Sequence, residues 1–350
     1  MVRYRLADFN DNKQLLELTM HAGMPGKMAL RIDRHPDFFK LNNLRGKTKV
    51  YVALEEEKIV GSICVSDQIV FIDKKKYPLY YISDFKVAQT HRNLGIGLQL
   101  TNRVVEYLET QNADFAFLNV SKGNKRPFVF FSDRGHYPDF KNIGTFTTFQ
   151  YVGSNNKFPN KKYKIELTKG TNEILEFLNN FYSKYELAKV ISNDKIKDSE
   201  LYVVREENEI LAVMSIIDTM HMKQNVVLKM PWHLKAVIES INVFCKWFKL
   251  SKLPKEKEPI KMLYIQYLAL KEYDKSLISA LISFAKQQAY NKSYSFVSIS
   301  THENDVLLQK LPKFMRFTFQ SVGMLVSMKD NKRLMKLIKE GMPFRDYSTV

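Results

Sequence analysis

The stretch that decides the fold is residues 79–110, which read LYYISDFKVAQTHRNLGIGLQLTNRVVEYLET. Its opening part, Leu79–Ala88, is apolar at nearly every position, the exceptions being Ser83, Asp84 and Lys86. This pattern is typical of a central strand that is buried on both faces. Apolar residues then recur at helical spacing, which predicts a helix over Gly97–Thr110.

A glycine-containing turn, His91–Gly97, joins this strand to this helix. Arg92, Gly95 and Gly97 give it the spacing Arg-x-x-Gly-x-Gly. The start of a helix has N–H groups without intrahelical partners and carries partial positive charge. Glycines let the backbone approach an anion closely. The turn therefore predicts a site for the pyrophosphate of a nucleotide-like cofactor.

The elements around this unit indicate a mixed sheet. The first half of the chain reads β-α-(α)-β-β-β-α-β-α-β, and three consecutive strands before a β-α-β unit favour a mixed sheet with helices on both faces. The predicted strands are Tyr4–Phe9, Lys49–Glu55, Ile59–Asp67, Leu79–Ala88, Phe115–Val120 and Phe146–Val152. The segment Arg31–Phe39 is predicted to be a loop with a short helix.

The element order begins again after a polar linker at Gly153–Lys162. We therefore predict the α/β class, as an α+β mixed sheet in two tandem copies. Each copy is expected to be a mixed, mostly antiparallel sheet flanked by helices. The predicted domains are residues 1–152 and residues 163–330, followed by a C-terminal helix and a frayed tail over residues 331–350.

Composition excludes several classes of protein. The chain has 350 residues, a formal net charge of +17 and only two cysteines, so a disulfide framework is not expected. No apolar stretch is long enough to cross a membrane, and no signal peptide is apparent, which predicts a cytoplasmic protein. No metal-ligand spacing is present. Charge alone suggests nucleic acid as a partner.

Residues 80–98 resemble the cofactor segment of the GNAT superfamily of N-acetyltransferases, in which a central strand runs into Arg-x-x-Gly-x-Gly and a helix. Asn124 and Gly135 also match that family's pattern. The resemblance implies acetyl-coenzyme A (acetyl-CoA) as cofactor. It implies that the pantetheine arm and pyrophosphate contact Phe85, Lys86, Val87, Arg92, Asn93, Leu94, Gly95, Ile96, Gly97, Leu98, Asn124 and Phe131.

The resemblance also directs attention to the proton transfers. Asp84 is the only carboxylate on the central strand, so it is the candidate base, with a local cap or salt bridge as the alternative. Family members carry a tyrosine that acts as the general acid at the position where this chain has Phe131. Tyr137 and His136 are the candidate substitutes, and a thiolate that leaves without a dedicated acid is the other possibility.

The second copy is expected to be degenerate. Its corresponding turn, Ala269–Ser276, contains no glycine and carries Glu272 and Asp274, so it disfavours a pyrophosphate. Tandem members of the family with one degenerate half include mycothiol synthase and N-myristoyltransferase. The second half would then shape the acceptor cleft, with segments 23–39 and 210–250 along it. Because the repeat supplies an internal pseudo-dimer, a monomer is expected.

These observations predict an acetyl-CoA-dependent N-acetyltransferase that acts on a primary amine of a small molecule or peptide. One alternative is a transferase for longer chains or for aminoacyl or peptidyl acceptors. Another is a non-catalytic CoA-binding regulatory module. An amphipathic helix over residues 234–250 is predicted either to pack on the other domain or to present a basic face to a membrane or partner.

Overall fold

The computed structural model describes residues 1–21, 29–124, 139–155, 162–329 and 331–350. Several features of the sequence prediction fall outside these ranges, namely Phe131, Gly135, His136, Tyr137, the helix predicted over Lys125–Ser132 and residues 23–28 of the segment expected along the acceptor cleft. All other predicted site residues lie within the described part of the chain. None of its helices is long and apolar enough to span a membrane.

The first half contains the predicted strand-turn-helix unit. Its strands are β1 (Arg3–Leu6), β2 (Ala29–Asp33), β3 (Lys47–Glu55), β4 (Lys58–Ile72), β5 (Lys75–Val87), β6 (Phe115–Ser121) and β7 (Asp139–Val152). Its described helices are α1 (Asn12–His21), α2 (Lys40–Arg45) and α3 (Ile96–Thr110). The prediction of irregular structure after Arg31 is wrong in part, because Arg31–Asp33 belong to β2.

The second half has a similar order, but its counterpart of the β4–β5 connection carries an additional strand and helix, and no strand of the described chain lies between its first two helices. Its strands are β8 (Ile165–Thr168), β9 (Leu201–Glu206), β10 (Glu209–Asp218), β11 (Gln224–Lys229), β12 (Met262–Leu270), β13 (Phe296–His302) and β14 (Arg316–Ser327). Its helices are α4 (Asn172–Tyr182), α5 (Asn193–Ile196), α6 (Trp232–Phe244), α7 (Lys275–Asn291), α8 (Val306–Lys310) and α9 (Lys332–Glu340). The mixed α/β class predicted from the sequence is confirmed.

One continuous sheet of 12 strands runs through both halves, in the order β1-β3-β4-β5-β6-β14-β7-β13-β12-β10-β9-β8. The halves exchange strands at its centre. Strand β14 of the second half lies between β6 and β7, and β7 of the first half pairs with β13. The domain boundary near residue 152 stays a prediction. The sheet itself is not divided there.

Each half splits one pair of parallel strands. Strands β5 and β6 pair only at Tyr80–Ala116 and Tyr81–Phe117, and they diverge beyond that point. Strands β12 and β13 pair only from Met262–Phe296 to Tyr264–Ser298, and they diverge beyond that point in the same way. In each half a bulge follows, centred on a residue with positive φ: Asp84 at 49° and Tyr267 at 54°. The two copies therefore share even their local distortion.

A second, two-stranded sheet ties the halves together. Strand β2 pairs antiparallel with β11, and Asp33 stands opposite Gln224 at the end of the ladder. Arg34 and Lys223 are the next residues beyond that pair, so the ladder brings their backbones side by side. Arg34 and Lys223 belong to the two segments, 23–39 and 210–250, that are predicted from the sequence to line the acceptor cleft.

The C-terminal segment is packed into the molecule. Arg345 is 5% exposed, and Ser348 and Thr349 are each 3% exposed. The Arg345 guanidinium lies 3.7 Å from the ring centroid of Tyr81 and donates to Gln68 Oε1 at 3.2 Å. The prediction of a frayed tail is therefore wrong, because the last residues fill the space between the halves.

Candidate active site

The turn before α3 exposes the start of that helix. Asn93 has a φ of 66° and Gly95 a φ of 78°, and no side chain of the described residues caps the helix. The first helical hydrogen bond runs from Gln99 N–H to Gly95 O, so the N–H groups of Ile96–Leu98 precede the helical ladder. Positive partial charge at this point suits a phosphate.

The predicted cofactor residues meet at one end of the sheet. Phe85, Lys86 and Val87 are half-buried and lie beyond the last β5–β6 pair, where the two strands have separated. Asn124 follows the end of β6, and its N–H donates to Ser121 O at 3.0 Å. The divergence leaves a wedge that leads to the start of α3. The described residues thus fit an extended thiol cofactor that ends in phosphates.

Asp84 lies at the inner end of this wedge and is surrounded by cations. Its Oδ2 accepts from Arg34 at 2.6 Å and also from Arg45, and its Oδ1 accepts from Lys86 at 3.2 Å. The Asp84 side chain is 8% exposed, and those of Arg34 and Arg45 are 1% and 4% exposed. The cluster therefore carries three cations against one carboxylate.

These partners set the protonation of Asp84. Burial alone would raise the pKa of the carboxyl, but Arg34, Arg45 and Lys86 together hold it well below its usual range. A carboxylate so strongly stabilised in its charged form is a poor acceptor of protons near neutral pH. The structure therefore argues against Asp84 as the general base and favours the alternative of a salt bridge.

The cluster also fixes the backbone and the neighbouring segments. Arg34 Nη2 donates to Phe38 O at 2.6 Å, and Arg45 Nε donates to Thr349 O at 2.7 Å. Asp84 thus connects β5 to α2, to the residues after β2 and, through Arg45, to the C-terminal segment. Asp84 has a positive φ, which costs energy at a non-glycine residue, and these contacts hold its backbone in that conformation.

Lys223 is a site residue that the sequence analysis did not identify. It is half-buried, and desolvation is the main reason that its pKa falls to about 7, with Arg45 adding to the decrease and Asp84 opposing it. Its Nζ donates to the main-chain oxygen of Val350. The only signal in the sequence was the position of Arg34 and Lys223 within or near the two segments expected along the acceptor cleft.

The second copy lacks a phosphate site. Helix α7 is capped by its own carboxylate, because Asp274 Oδ1 accepts from Leu277 N–H at 2.6 Å. Tyr267 stands at the bulge where the first copy has Asp84. A bound anion at α7 would compete with the Asp274 cap and be repelled by it. The expectation of a single phosphate site per chain is consistent with this contrast.

A cavity of about 750 Å³ occupies the split of the second copy and reaches the first. Its wall includes a group of aromatic side chains, Phe181, Tyr182, Tyr185, Tyr264, Tyr267, Phe344 and Tyr347, together with charged side chains of both signs. Asp346 also lines it and accepts from Gln266 Nε2 at 2.7 Å. Arg45 and Thr349 line it as well, so the cavity borders the Asp84 cluster. Within the described ranges, no group of three or more His, Cys, Asp or Glu side chains could hold a metal ion.

The sequence model of the acetyltransferase (GNAT) family matches residues 14–132, which span the wedge, the Asp84 bulge and the turn before α3. This chain carries a GNAT acyltransferase domain. The match confirms the resemblance read from residues 80–98. No curated protein matches the chain.

Solved structures show the same fold across both halves. N-myristoyltransferase from Saccharomyces cerevisiae with bound myristoyl-CoA matches with a TM-score of 0.60 and 13% identity, covering 93% of this chain and 82% of that one. A GCN5-related N-acetyltransferase from Anabaena variabilis matches with a TM-score of 0.53 and 11% identity, covering 94% and 73%. At these identities the likeness concerns the fold, which extends beyond the GNAT domain to the whole tandem arrangement.

Proposed function

We propose that this protein is an N-acetyltransferase that transfers an acetyl group from acetyl-CoA to a primary amine. The observation that carries the proposal is the exposed start of α3, at the mouth of the wedge between β5 and β6. Asn93 and Gly95 both have positive φ there, and no described side chain caps the helix. The GNAT match supports the wider class of acyltransferases.

The proposed contacts follow the predicted residues. Backbone groups of Phe85–Val87 hold the pantetheine arm, and the N–H groups of Asn93–Leu98 hold the pyrophosphate with Arg92. Asn124 borders the arm from β6. The wedge directs the thioester towards Asp84, where three cations face one carboxylate. This excess of positive charge favours the negative charge that develops on the carbonyl oxygen during transfer.

The transfer itself needs a neutral amine. We assign the acceptance of its proton to Lys223, which the β2–β11 ladder places beside Arg34 of the Asp84 cluster. Desolvation lowers its pKa to about 7, so that it is partly neutral at physiological pH. The acceptor ammonium gives one proton to Lys223 Nζ, and the freed lone pair attacks the thioester carbon. The C–N bond forms, the C–S bond breaks and sulfur leaves with its electron pair. The second proton of the amine goes to the leaving thiolate. Tyr137, the candidate acid, stays a prediction.

The space beside Asp84 favours a short acyl group. Arg34 and Phe38 are 1% and 0% exposed, and together with Arg45 they fill the side of the bulge that faces α2. The aromatic cavity then remains for the acceptor. Aromatic rings with a carboxylate such as Asp346 suit an organic ammonium, since cations are attracted to the faces of aromatic rings.

A longer acyl chain is the second candidate. The observation in its favour is that the cavity of about 750 Å³ borders Arg45 and Thr349, next to the Asp84 cluster. A flexible chain could enter it from the wedge. In that case the aromatic wall would receive the acyl tail rather than the acceptor.

The test is release of free CoA thiol with a panel of amines and with acetyl-, octanoyl- and myristoyl-CoA. The decisive variant is Gly95→Glu, which places a carboxylate where the phosphate should bind. A Cβ at Gly95 would meet no atom within 4 Å, so the cost of the variant is the strain of a side chain at a φ of 78°, and thermal unfolding of variant and control checks that both fold. Its control is Asn112→Glu, which adds the same charge at the opposite end of α3, also at positive φ (52°).

We expect Gly95→Glu to abolish binding of acetyl-CoA and Asn112→Glu to retain it. Equal binding by both variants would contradict the site. Faster thiol release from myristoyl-CoA than from acetyl-CoA would replace the first candidate with the second. Binding without thiol release for any amine would instead indicate the regulatory module considered from the sequence.

A further inference from the structure

The insert between β11 and β12 exposes an unusual set of side chains. The chain has two tryptophans, and both are on this insert: Trp232 is 81% exposed and Trp247 is 84% exposed. Tryptophan is among the side chains that are most buried on average. Large apolar neighbours are exposed as well, and we call the whole set the α6 patch: Trp232, Val237, Val243, Phe244, Trp247 and Phe248.

The α6 patch is not the core-facing side of the helix. Ile238 is 6% exposed and packs into the core with Leu234 and Ile241, so α6 is already held on the protein by these three residues. The apolar side chains of the patch are additional to those contacts. The structure has the helix over Trp232–Phe244 rather than residues 234–250, and one of its stripes packs inwards. Presentation of a basic face to a membrane or partner stays a prediction.

Charge identifies what would cover the patch. Between β11 and β12 the chain has seven exposed lysines against three carboxylates, Glu239, Glu256 and Glu258, and five of these lysines lie within residues 232–255. These five are Lys235, Lys246, Lys249, Lys252 and Lys255, and none of them forms an ion pair with another described residue. An apolar surface with a basic rim is complementary to a layer that is apolar inside and anionic at its face.

We propose that the α6 patch docks this protein on the surface of an anionic phospholipid membrane. The tryptophan and phenylalanine rings would enter the headgroup region, where amphipathic aromatic rings are favoured. The lysine stems would lie along the surface, with their ammonium groups at the lipid phosphates. The interaction requires no spanning helix, in keeping with the helices of the described chain.

The α6 patch is connected through the chain to the elements of the candidate site. Strand β11, which begins directly after Lys223, leads into α6, and the insert ends at β12, which carries the Tyr267 bulge. The proposal does not depend on the identity of the acyl group, so it can fail while the proposed transferase activity stands.

The experiment uses the full chain and its own fluorescence. Because both tryptophans are in the α6 patch, their emission reports on this surface without a signal from the core. Vesicles of phosphatidylcholine with about a third phosphatidylglycerol should shift the emission to the blue, and vesicles of phosphatidylcholine alone should shift it far less. Raising the salt concentration should reverse part of the binding.

Co-sedimentation with the same vesicles tests the residues. Lys246→Glu/Lys249→Glu should lower the affinity by on the order of tenfold or more, since each lysine contributes measurably near an anionic surface. Phe248→Ser should weaken binding while the charge is unchanged. The control is Lys74→Glu/Lys75→Glu, which makes the same change of charge at an exposed turn remote in sequence, and which should bind as the parent does.

Three results would overturn the proposal. The first is the absence of a blue shift and of co-sedimentation with the anionic vesicles at low salt. The second is binding that the Lys74/Lys75 control loses as fully as the Lys246/Lys249 variant, which would indicate a general effect of charge. If the parent sediments as a dimer without lipid and Phe248→Ser is monomeric, the patch is a protein interface and the membrane assignment is wrong.

Discussion

Replacing Asp84 with asparagine separates two roles for this residue, a proton acceptor or an anchor for buried cations. The variant keeps the shape of the side chain and removes its charge. Arg34 and Arg45, with side chains 1% and 4% exposed, would then remain buried without their counter-ion. Removal of one partner from a buried ion pair costs about 3–5 kcal/mol.

That cost converts into a measurable shift of the unfolding temperature. The entropy of unfolding of a chain of 350 residues is about 0.7 kcal/mol/K, so Asp84→Asn should lower Tm by about 4–7 °C. The assay is thermal unfolding followed by circular dichroism at pH 7. The matched control is Glu173→Gln, which removes a carboxylate paired with Arg205 at the surface and should leave Tm nearly unchanged.

The pH dependence of stability is a second test of the role of Asp84. The folded pKa of Asp84 lies below its unfolded value, so its stabilisation is present above the unfolded pKa and is lost as pH falls through the folded pKa. The difference in Tm between parent and variant should therefore shrink below about pH 4. If Asp84→Asn unfolds within a degree of the parent at pH 7, the cation-anchor role is wrong and a catalytic role regains support.

Three further predictions concern other charged groups. If Lys223 accepts the proton, thiol release should increase with pH through about 7, and Lys223→Arg should move that increase to higher pH, as a pH–rate profile would show; an unchanged profile contradicts the assignment. Burial also lowers the pKa of Lys189 to about 7, whereas in the unfolded chain this pKa is about 10.4. Between these two values only the unfolded chain keeps the proton, so the free energy of unfolding should rise with pH across this interval. Lys189→Met should show a shallower rise in urea titrations at pH 7 and 9, and equal slopes would exclude the effect. Asp274→Ala should destabilise α7 by about 1 kcal/mol without changing the affinity for acetyl-CoA, and a gain or loss of CoA binding in calorimetry would indicate a second cofactor site.

The secondary structure could be predicted because its determinants are local. The apolar run of β5, the glycine turn and the amphipathic face of α3 are each specified within a few residues, and the structure places these elements as expected. The cofactor turn was predictable for the same reason, since Gly95 adopts the positive φ that its type favours. Strand β2 was missed because it pairs with β11, from the other half of the chain.

The role of Asp84 was not predictable, because its partners are distant in sequence. Arg34 and Arg45 reach it from the segments around α2, and nothing in the spacing of these residues indicates that three charges will meet. Lys223 comes from farther still. A carboxylate on a central strand has the same local pattern whether it will act as a base or bind cations, so only the fold distinguishes the two.

The exchange of β7 and β14 was invisible for a different reason. The order of elements along the chain is the same whether each half completes its own sheet or the two halves exchange a strand. The buried tail was missed because its sequence is polar and short. Its burial depends on the surfaces that Tyr81 and Gln68 offer to Arg345, and these form only in the folded molecule.

The position of β14 has a consequence for synthesis of the protein. Strand β6 of the GNAT domain pairs with Arg316–Ser327, so this sheet stays incomplete until β14 has left the ribosome. Until then β6 presents an open edge that other nascent chains could pair with. The half that carries the exposed start of α3 therefore does not mature before the half that holds most of the cavity, and truncation before β14 would leave its sheet unfinished.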